Sequence, residues 1–293
     1  MTVVICTVAD RFVNPLFEVF DGGDFILSSY RDVEADGNTE MRIYFPDPSD
    51  APAAKEALIN AGRILDLELD PREETFPDED WTLAYRRHFK TEVISPRLVI
   101  RPPWEEYTPV EGQKVLTLDP GMAFGTGQHA TTRACLEFID DLAKENTDRT
   151  FLDIGCGSGI LGVAAALEGF KGVAGFDIDP EAVKVANETA LQNGVEEIFT
   201  RGDLCNISTL PDVKSHDHRH DVVAANVLGP VLINFADEIV RTVHFSSESR
   251  LILSGILDEL FPEVVEAYAK RNFRLVESKT IGEWTSGLFA PDA

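Results

Sequence analysis

The chain has 293 residues, of which 44% are hydrophobic and 26% charged, and its formal net charge is −25. That length accommodates one large or two modest domains, and no apolar run reaches the roughly 20 residues of a membrane-spanning helix. So acidic a chain repels a phosphate backbone, which argues against direct nucleic-acid binding; the charge either attracts a basic partner or only keeps the protein soluble.

The opening segment, Met1 to Cys6, has neither a basic stretch nor the small-residue cleavage site of a signal peptide, so a cytoplasmic protein is expected. Cys6, Cys135, Cys156 and Cys205 lie far apart without Cys-x-x-Cys spacing, which predicts free thiols rather than a disulfide framework or zinc site. Residues 1–75 alternate strand-like and helix-like segments: Val3 to Val8, Asn14 to Phe20, Phe25 to Tyr30 and Met41 to Phe45, then an Ala-rich helix from Ala53 to Ala61 and an alternating strand from Ile64 to Leu69. This pattern predicts a small α+β domain with helices on one face of an antiparallel sheet. It contains no catalytic spacing, which assigns it to substrate recognition.

Pro71 to Asp80 reads as a linker, and Trp81, Tyr85 and Phe89 fall on one face of a following helix. A strand at Leu98-Val99-Ile100 ends in Arg101-Pro102-Pro103-Trp104, so residues 76–108 are expected to connect the first domain to a second at 109–293. Leu118 to Thr132 carries glycines at 121, 125 and 127, as befits a loop that approaches a ligand closely, and Thr131 is an apt N-cap for a helix bearing Cys135, Phe138, Ile139 and Leu142. That places the Thr132 hydroxyl beside a helix N-terminus, while His129 reads first as a packing residue of the loop.

The most informative stretch is Thr150 to Ile160, TFLDIGCGSGI. A short apolar run turning directly into a helix through Gly155, Gly157 and Gly159 reads as a buried parallel strand followed by a tight, Cβ-free turn. The helix N-terminus beyond it, with unpaired N–H groups, suits an anionic or electron-rich ligand. The spacing Gly-x-Gly-x-Gly departs from the dinucleotide fingerprint at Ile160. A second strand, Val173 to Phe176, ends at Asp177, where an acidic residue typically accepts hydrogen bonds from a ribose.

Asp179 and Pro180 then start a helix that Asn193-Gly194 stops, and Ile198 to Thr200 leads to Asp203, a candidate partner for an adenine amino group. A polar loop from 204 to 220 holds His216, His218 and His220, whose alternate spacing without cysteine or convincing carboxylate support is a weak metal signal. Asp221 to Leu228 is a fourth buried strand containing Asn226, Leu251 to Ser254 a fifth, Asp258 to Asn272 a helix, and Phe273 to Val276 with Trp284 to Ala290 an antiparallel pair. Seven strands in this order make a Rossmann-like α/β sheet, and ligands bind beyond the carboxyl ends of such strands, so Gly155, Asp177 and Asn226 converge on one crevice.

The strings LDPGMAFGTGQHATT, FLDIGCGSGILG, GFDIDPEAV, VVAANVL, LSGIL and GEWTSG, in this order, resemble the bacterial methyltransferase family that acts on the large-subunit ribosomal protein L-eleven. The resemblance runs from about Trp81 to Trp284, and before Trp81 it is one of architecture. It implies an S-adenosylmethionine-dependent enzyme that methylates protein amines, at lysine side chains and an N-terminal α-amine, with ribosomal protein L-eleven as the basic partner. It also implies cofactor contacts at Thr132 (methionine end), Gly155 and Gly157 (turn), Asp177 (ribose) and Asn226 (beside the reactive sulfonium), with Asn226 as the catalytic residue and no metal. One segment departs: the family reads Asn-Ile-Leu-x-Gly-Pro-Leu, whereas Asn226-Val227-Leu228 here runs directly into Gly229-Pro230, one residue shorter beside the acceptor. A related methyltransferase of electron-transfer flavoprotein β-subunit lysines resembles the same family. A cofactor-binding protein without turnover and a nicotinamide or flavin oxidoreductase are the readings from other classes.

Overall fold

The computed structural model describes residues 2–13, 15–16, 26–30, 37–44, 48–65, 67–75, 89–119, 129–196, 198–206 and 218–292. Most of the expected Asn14 to Phe20 segment, the Trp81 helix, the glycine loop at 120–128 and His216 lie outside them. The chain divides into two compact units, Met1–His88 and Phe89–Ala293.

In the first unit, strands β1 (Thr2–Ala9), β2 (Ile26–Tyr30), β3 (Asn38–Tyr44) and β4 (Arg72–Thr75) form an antiparallel sheet in the order β2-β3-β1-β4. Helix α1 (Ala51–Ile64) lies on one face, where Ala54, Leu58 and Ala61 meet Val4, Cys6, Met41 and Ile43 in a small core. This is the α+β arrangement that alternation predicts, with one correction. Ile64 to Leu69 is not a strand: α1 runs through Ile64, the Leu67 N–H donates to Gly62 O (2.8 Å), and Leu65 and Leu69 fold back onto the core. Four residues apart, those leucines satisfy helix-end packing as readily as sheet alternation. The edge strand falls instead within the expected linker, and its sequence REET keeps charges on an exposed edge, which discourages pairing with other chains.

The second unit is built on a seven-stranded sheet of β8 (Thr150–Ile154), β9 (Gly172–Asp177), β10 (Phe199–Arg201), β11 (Val222–Asn226), β12 (Arg250–Leu257), β13 (Phe273–Ile281) and β14 (Trp284–Pro291). Its order is β10-β9-β8-β11-β12-β14-β13, parallel from β10 to β12 and antiparallel beyond. The chain winds outward from β8 through β9 to β10, then crosses back to β11 and winds outward to β12 on the other side, so the topological switch lies between β8 and β11.

The apolar strands feed two cores because successive side chains face opposite sides. Phe151, Val222, Ala224 and Ile252 pack under α2 (Ala130–Glu145), α3 (Ile160–Glu168) and α4 (Pro180–Gln192). Leu152, Val223, Ala225, Leu251 and Leu253 pack against α5 (Gly229–Asn234), α6 (Ala236–Arg241) and α7 (Phe261–Ala269). Helix α4 begins as its sequence predicts, with the Asp179 side chain accepting from the Glu181 N–H (2.9 Å), and ends before Gly194 at φ 70°.

A small three-stranded sheet precedes α2, and of its strands the sequence pattern announced only the one at Leu98-Val99-Ile100. Strands β5 (Glu92–Val93), β6 (Leu98–Arg101) and β7 (Lys114–Thr117) run in that order, and Leu98, Ile100 and Leu116 join the core under α2 and α3. Residues 89–108 therefore pack with the second unit. The Asn193 side chain closes the β7 edge by accepting from the Thr117 N–H and donating to its carbonyl, both at 2.7 Å. Arg97 reaches from the β5–β6 turn to Glu168 of α3 and, at 3.6 Å, to Asp140 of α2, which also holds Lys144 at 2.7 Å. Burial raises the pKa of Glu168, so the guanidinium offsets a desolvated carboxylate and fastens the small sheet to both helices.

Candidate active site

Strand β8 delivers its backbone into the turn under tight control. The N–H groups of Gly155 and Cys156 both donate to Phe176 O, at 2.9 and 3.0 Å, so the chain folds back over the end of β9. Gly155, Gly157 and Gly159 take φ values of 65°, 52° and 77°, in the left-handed region that side chains disfavour. Cys156 and Ser158 point inward and are buried, while Gly155 and Gly157 are the partly exposed positions. A bare strip of main chain thus faces the crevice, and α3 starts beside it with Gly159 as N-cap.

Asp177, at the end of β9, is half-buried. Its Oδ2 accepts from the Gly157 N–H and its Oδ1 from the Asp179 N–H, each at 3.0 Å. The carboxylate is held in one orientation against the turn, with lone pairs left for a further donor. Asp203 stands beyond β10, where its side chain accepts from the Cys205 N–H (2.9 Å), and the Gly202 N–H donates to Asp177 O (3.0 Å).

The opposite wall comes from α2 and β11. Asn226 is the last residue of β11, and its Nδ2 donates to the buried Thr132 Oγ1 at 3.4 Å. The next residue, Val227, lies so close to the turn that a Cβ on Gly155 would meet its Cγ1 at 2.9 Å. The N-cap of α2 is His129, not Thr131 as expected: His129 is extended, its Nδ1 accepts from the Thr131 N–H, and Thr131 is a buried helical residue. His129 Nδ1 also pairs with Thr131 Oγ1 at 2.7 Å, and its ring meets Trp284 edge-on with centroids 5.1 Å apart. Tertiary packing draws the threonine inward and leaves the cap to the residue two positions earlier.

Gly155, Gly157, Asp177, Thr132 and Asn226 therefore all stand at the carboxyl ends of β8, β9 and β11 or at the N-terminus of α2. Of the alternate histidines, His218 sits at φ 59°, and His220 is fully buried and bridged to Val243 rather than part of a polar loop. Among the described residues no group of three or more His, Cys, Asp and Glu side chains is arranged to hold a metal.

One residue of the site escaped sequence reasoning. Asp153, in the middle of β8, is almost wholly buried, and its Oδ2 accepts from the Gly162 N–H of α3 at 3.0 Å. Desolvation, partly offset by that hydrogen bond, pushes its pKa up to about 7. The signal was present as a lone charge inside an apolar strand. Desolvation likewise raises the neighbouring Cys156 thiol, so that cysteine is poorly suited to act as a nucleophile.

Comparison with known proteins fits this architecture. The sequence profile of the ribosomal protein L11 methyltransferase (PrmA) family matches residues 21–290. The chain belongs to this family. It is 37% identical over 241 residues to the ribosomal protein L11 methyltransferase of Ruminiclostridium cellulolyticum, an alignment that covers 81% of this chain and 73% of that protein. It is 44% identical over 209 residues to the corresponding protein of Geobacter sulfurreducens, covering 71% and 65% of the two chains. The crystal structure of a ribosomal protein L11 methylase from Lactobacillus delbrueckii subsp. bulgaricus superposes with a TM-score of 0.60 at 29% identity, over 70% of this chain and all of that one. No helix of the described residues is long and apolar enough to cross a membrane.

The buried acid yields a prediction. In the unfolded chain Asp153 loses its proton near the ordinary carboxyl range, whereas in the fold it holds it to about pH 7, so its contribution to stability declines as pH rises between these values. Relative to the native protein, Asp153→Asn should gain stability by on the order of 1–3 kcal/mol between pH 5 and pH 8. Urea unfolding midpoints across that range test this, and a pH-independent difference would contradict a neutral buried acid.

Proposed function

We propose that the chain transfers methyl groups from S-adenosylmethionine to amines of ribosomal protein L11, at lysine side chains and the N-terminal α-amine. The observation that carries the reading is the bare glycine turn with Asp177 on one side and the Thr132–Asn226 pair on the other, all at one switch point. The family supplies the substrate: its members are named for ribosomal protein L11. The negative charge of the chain favours a basic protein partner.

The residues present fit the cofactor. Gly155 and Gly157 offer a surface without Cβ atoms and the start of α3; Asp177 would accept from the ribose hydroxyls, and Thr132 would hold the methionine end. Asp203, beyond β10, is the candidate partner for the adenine amino group. When bound, S-adenosylmethionine supplies a methyl group already activated for in-line displacement.

What remains for the protein is positioning and control of one proton. The attacking amine must be neutral, and at pH 7 that costs roughly 4–5 kcal/mol for a lysine but only about 1 kcal/mol for an α-amine. Desolvation of the amine in a closed crevice would lower the lysine cost by disfavouring the ammonium form. Asn226 orients what arrives: Thr132 holds its amide nitrogen, and the amide oxygen accepts from an amine N–H and turns the nitrogen lone pair toward the methyl. A carboxylate at this position would hold the ammonium form instead.

Residues of the first unit select the protein substrate, since they carry no catalytic spacing and form their own core. A chain that starts at Phe89 should bind S-adenosylmethionine and fail to methylate intact ribosomal protein L11, and full activity of that truncation would refute the assignment. The reaction itself is tested with labelled S-adenosylmethionine and purified ribosomal protein L11, read by intact-protein mass spectrometry. No mass increase on any amine of that protein would refute the proposal.

Two substitutions test the roles. Asp177→Ala should weaken cofactor binding about thirty- to two-hundred-fold by calorimetry, and unchanged affinity would remove the ribose role. Asn226→Ala should lower kcat more than cofactor affinity. Asn226→Asp should retain binding and move the pH optimum upward, because a carboxylate stabilises the charged amine. Native kcat in folded Asn226→Ala would end the positioning role.

A further inference from the structure

Strand β12 passes the site with an irregularity that the reaction does not by itself explain. Leu253 pairs with Gly287 and Ile256 with Thr285, so Ser254 and Gly255 together oppose the single residue Ser286. This is a β-bulge, with Gly255 at φ 80°. On its other edge, Ser254 pairs with Asn226 at the end of β11.

Each bulge residue meets the chain neighbour of one partner of the Thr132–Asn226 pair. The Ser254 hydroxyl, buried and 2.6 Å from Ser286 Oγ, donates to Thr131 O at 3.1 Å and so fixes the first turn of α2. Gly255 lies against the main chain of Val227, the residue after Asn226. A Cβ there would meet Val227 O at 2.3 Å, its carbonyl carbon at 2.8 Å and its nitrogen at 3.2 Å. From the opposite side the Val227 side chain rests on Gly155, so the end of β11 is gripped between two glycines. With no residue between Leu228 and Gly229-Pro230 to absorb a displacement, a shift at Val227 is passed to Asn226.

We propose that the Ser254–Gly255 bulge is the positioning device of the reaction, setting the separation and aim of Thr132 and Asn226 without touching substrate or cofactor. The inference rests on the proposed methyl transfer. A main-chain displacement of this size at a positioning group costs on the order of tenfold to a hundredfold in rate.

The test compares full-length Gly255→Ala, Ser254→Ala and Gly112→Ala. Gly112, in the turn before β7, has φ 81° with nothing within 4 Å of a Cβ, so it imposes the same backbone strain without a collision. With labelled S-adenosylmethionine and ribosomal protein L11, kcat should fall about ten- to a hundredfold in Gly255→Ala and about tenfold in Ser254→Ala. KM for the protein and cofactor affinity should stay within about threefold, and Gly112→Ala should keep native kcat. Native kcat in folded Gly255→Ala would overturn the proposal, as would a loss of cofactor affinity as large as the loss of kcat. If Gly255→Ala does not fold, Ser254→Ala decides on the same terms. If the native protein itself leaves ribosomal protein L11 unmodified, the proposed reaction fails and the bulge is judged by the Asn226 side-chain amide resonance. A changed resonance in Gly255→Ala or Ser254→Ala supports positioning, and unchanged resonances in both overturn it.

Discussion

Two N–H groups sharing one carbonyl, those of Gly155 and Cys156 on Phe176 O, set the geometry on which the rest of the site depends. They force the chain to reverse immediately after β8, and only left-handed glycine backbone follows that path. The reversal brings the Gly157 N–H onto Asp177 and aims the start of α3 at the same crevice. One local constraint thereby makes a bare surface, orients an acid and positions a helix terminus.

The second wall of the crevice is made by a different principle. Nothing in the local chain obliges Thr132 and Asn226 to meet; they lie 94 residues apart and are joined by the parallel pairing of β8, β11 and β12 and by the anchoring of α2 to Ser254. The first wall is rigid because of turn geometry, and the second because three strands and a helix are packed into register. A methyl transfer that asks for orientation rather than acid–base power suits such a site, since an error of about 1 Å in either wall would be felt in the rate.

Burial around the site also decides which groups stay chemically silent. Cys135 and Cys156 are enclosed by apolar neighbours, and Cys135 is pushed up to about 12, so both remain neutral thiols next to a crevice built for a nucleophilic amine. Asp153 is held near neutrality by the same desolvation and serves as a hydrogen-bond anchor between β8 and α3. Asp177 and Asn226 are left half-exposed, as the ribose-binding and amine-orienting roles proposed for them require.

Much of this was legible in the residues alone, because the relevant signals are local. Alternation and apolar runs marked the strands, Asp179-Pro180 and Asn193-Gly194 marked the limits of α4, and the glycines after Ile154 announced a turn only glycine can make. What the sequence could not determine depended on partners distant in the chain. Leu65 and Leu69 suited a strand and a helix-end packing equally, and only the core of the first unit chose between them. Thr131 had the side chain of an N-cap, yet Ser254 and Thr285's strand neighbour Ser286, more than a hundred residues away, hold the helix start so that His129 takes that position. Turn chemistry and periodicity are written within a few residues, so the sequence by itself determined the strands of the large sheet and the cofactor-side turn. The bulge at Gly255, the meeting of Thr132 with Asn226 and the burial of Asp153 arise from packing between separate segments, and for that reason only the tertiary structure decided them.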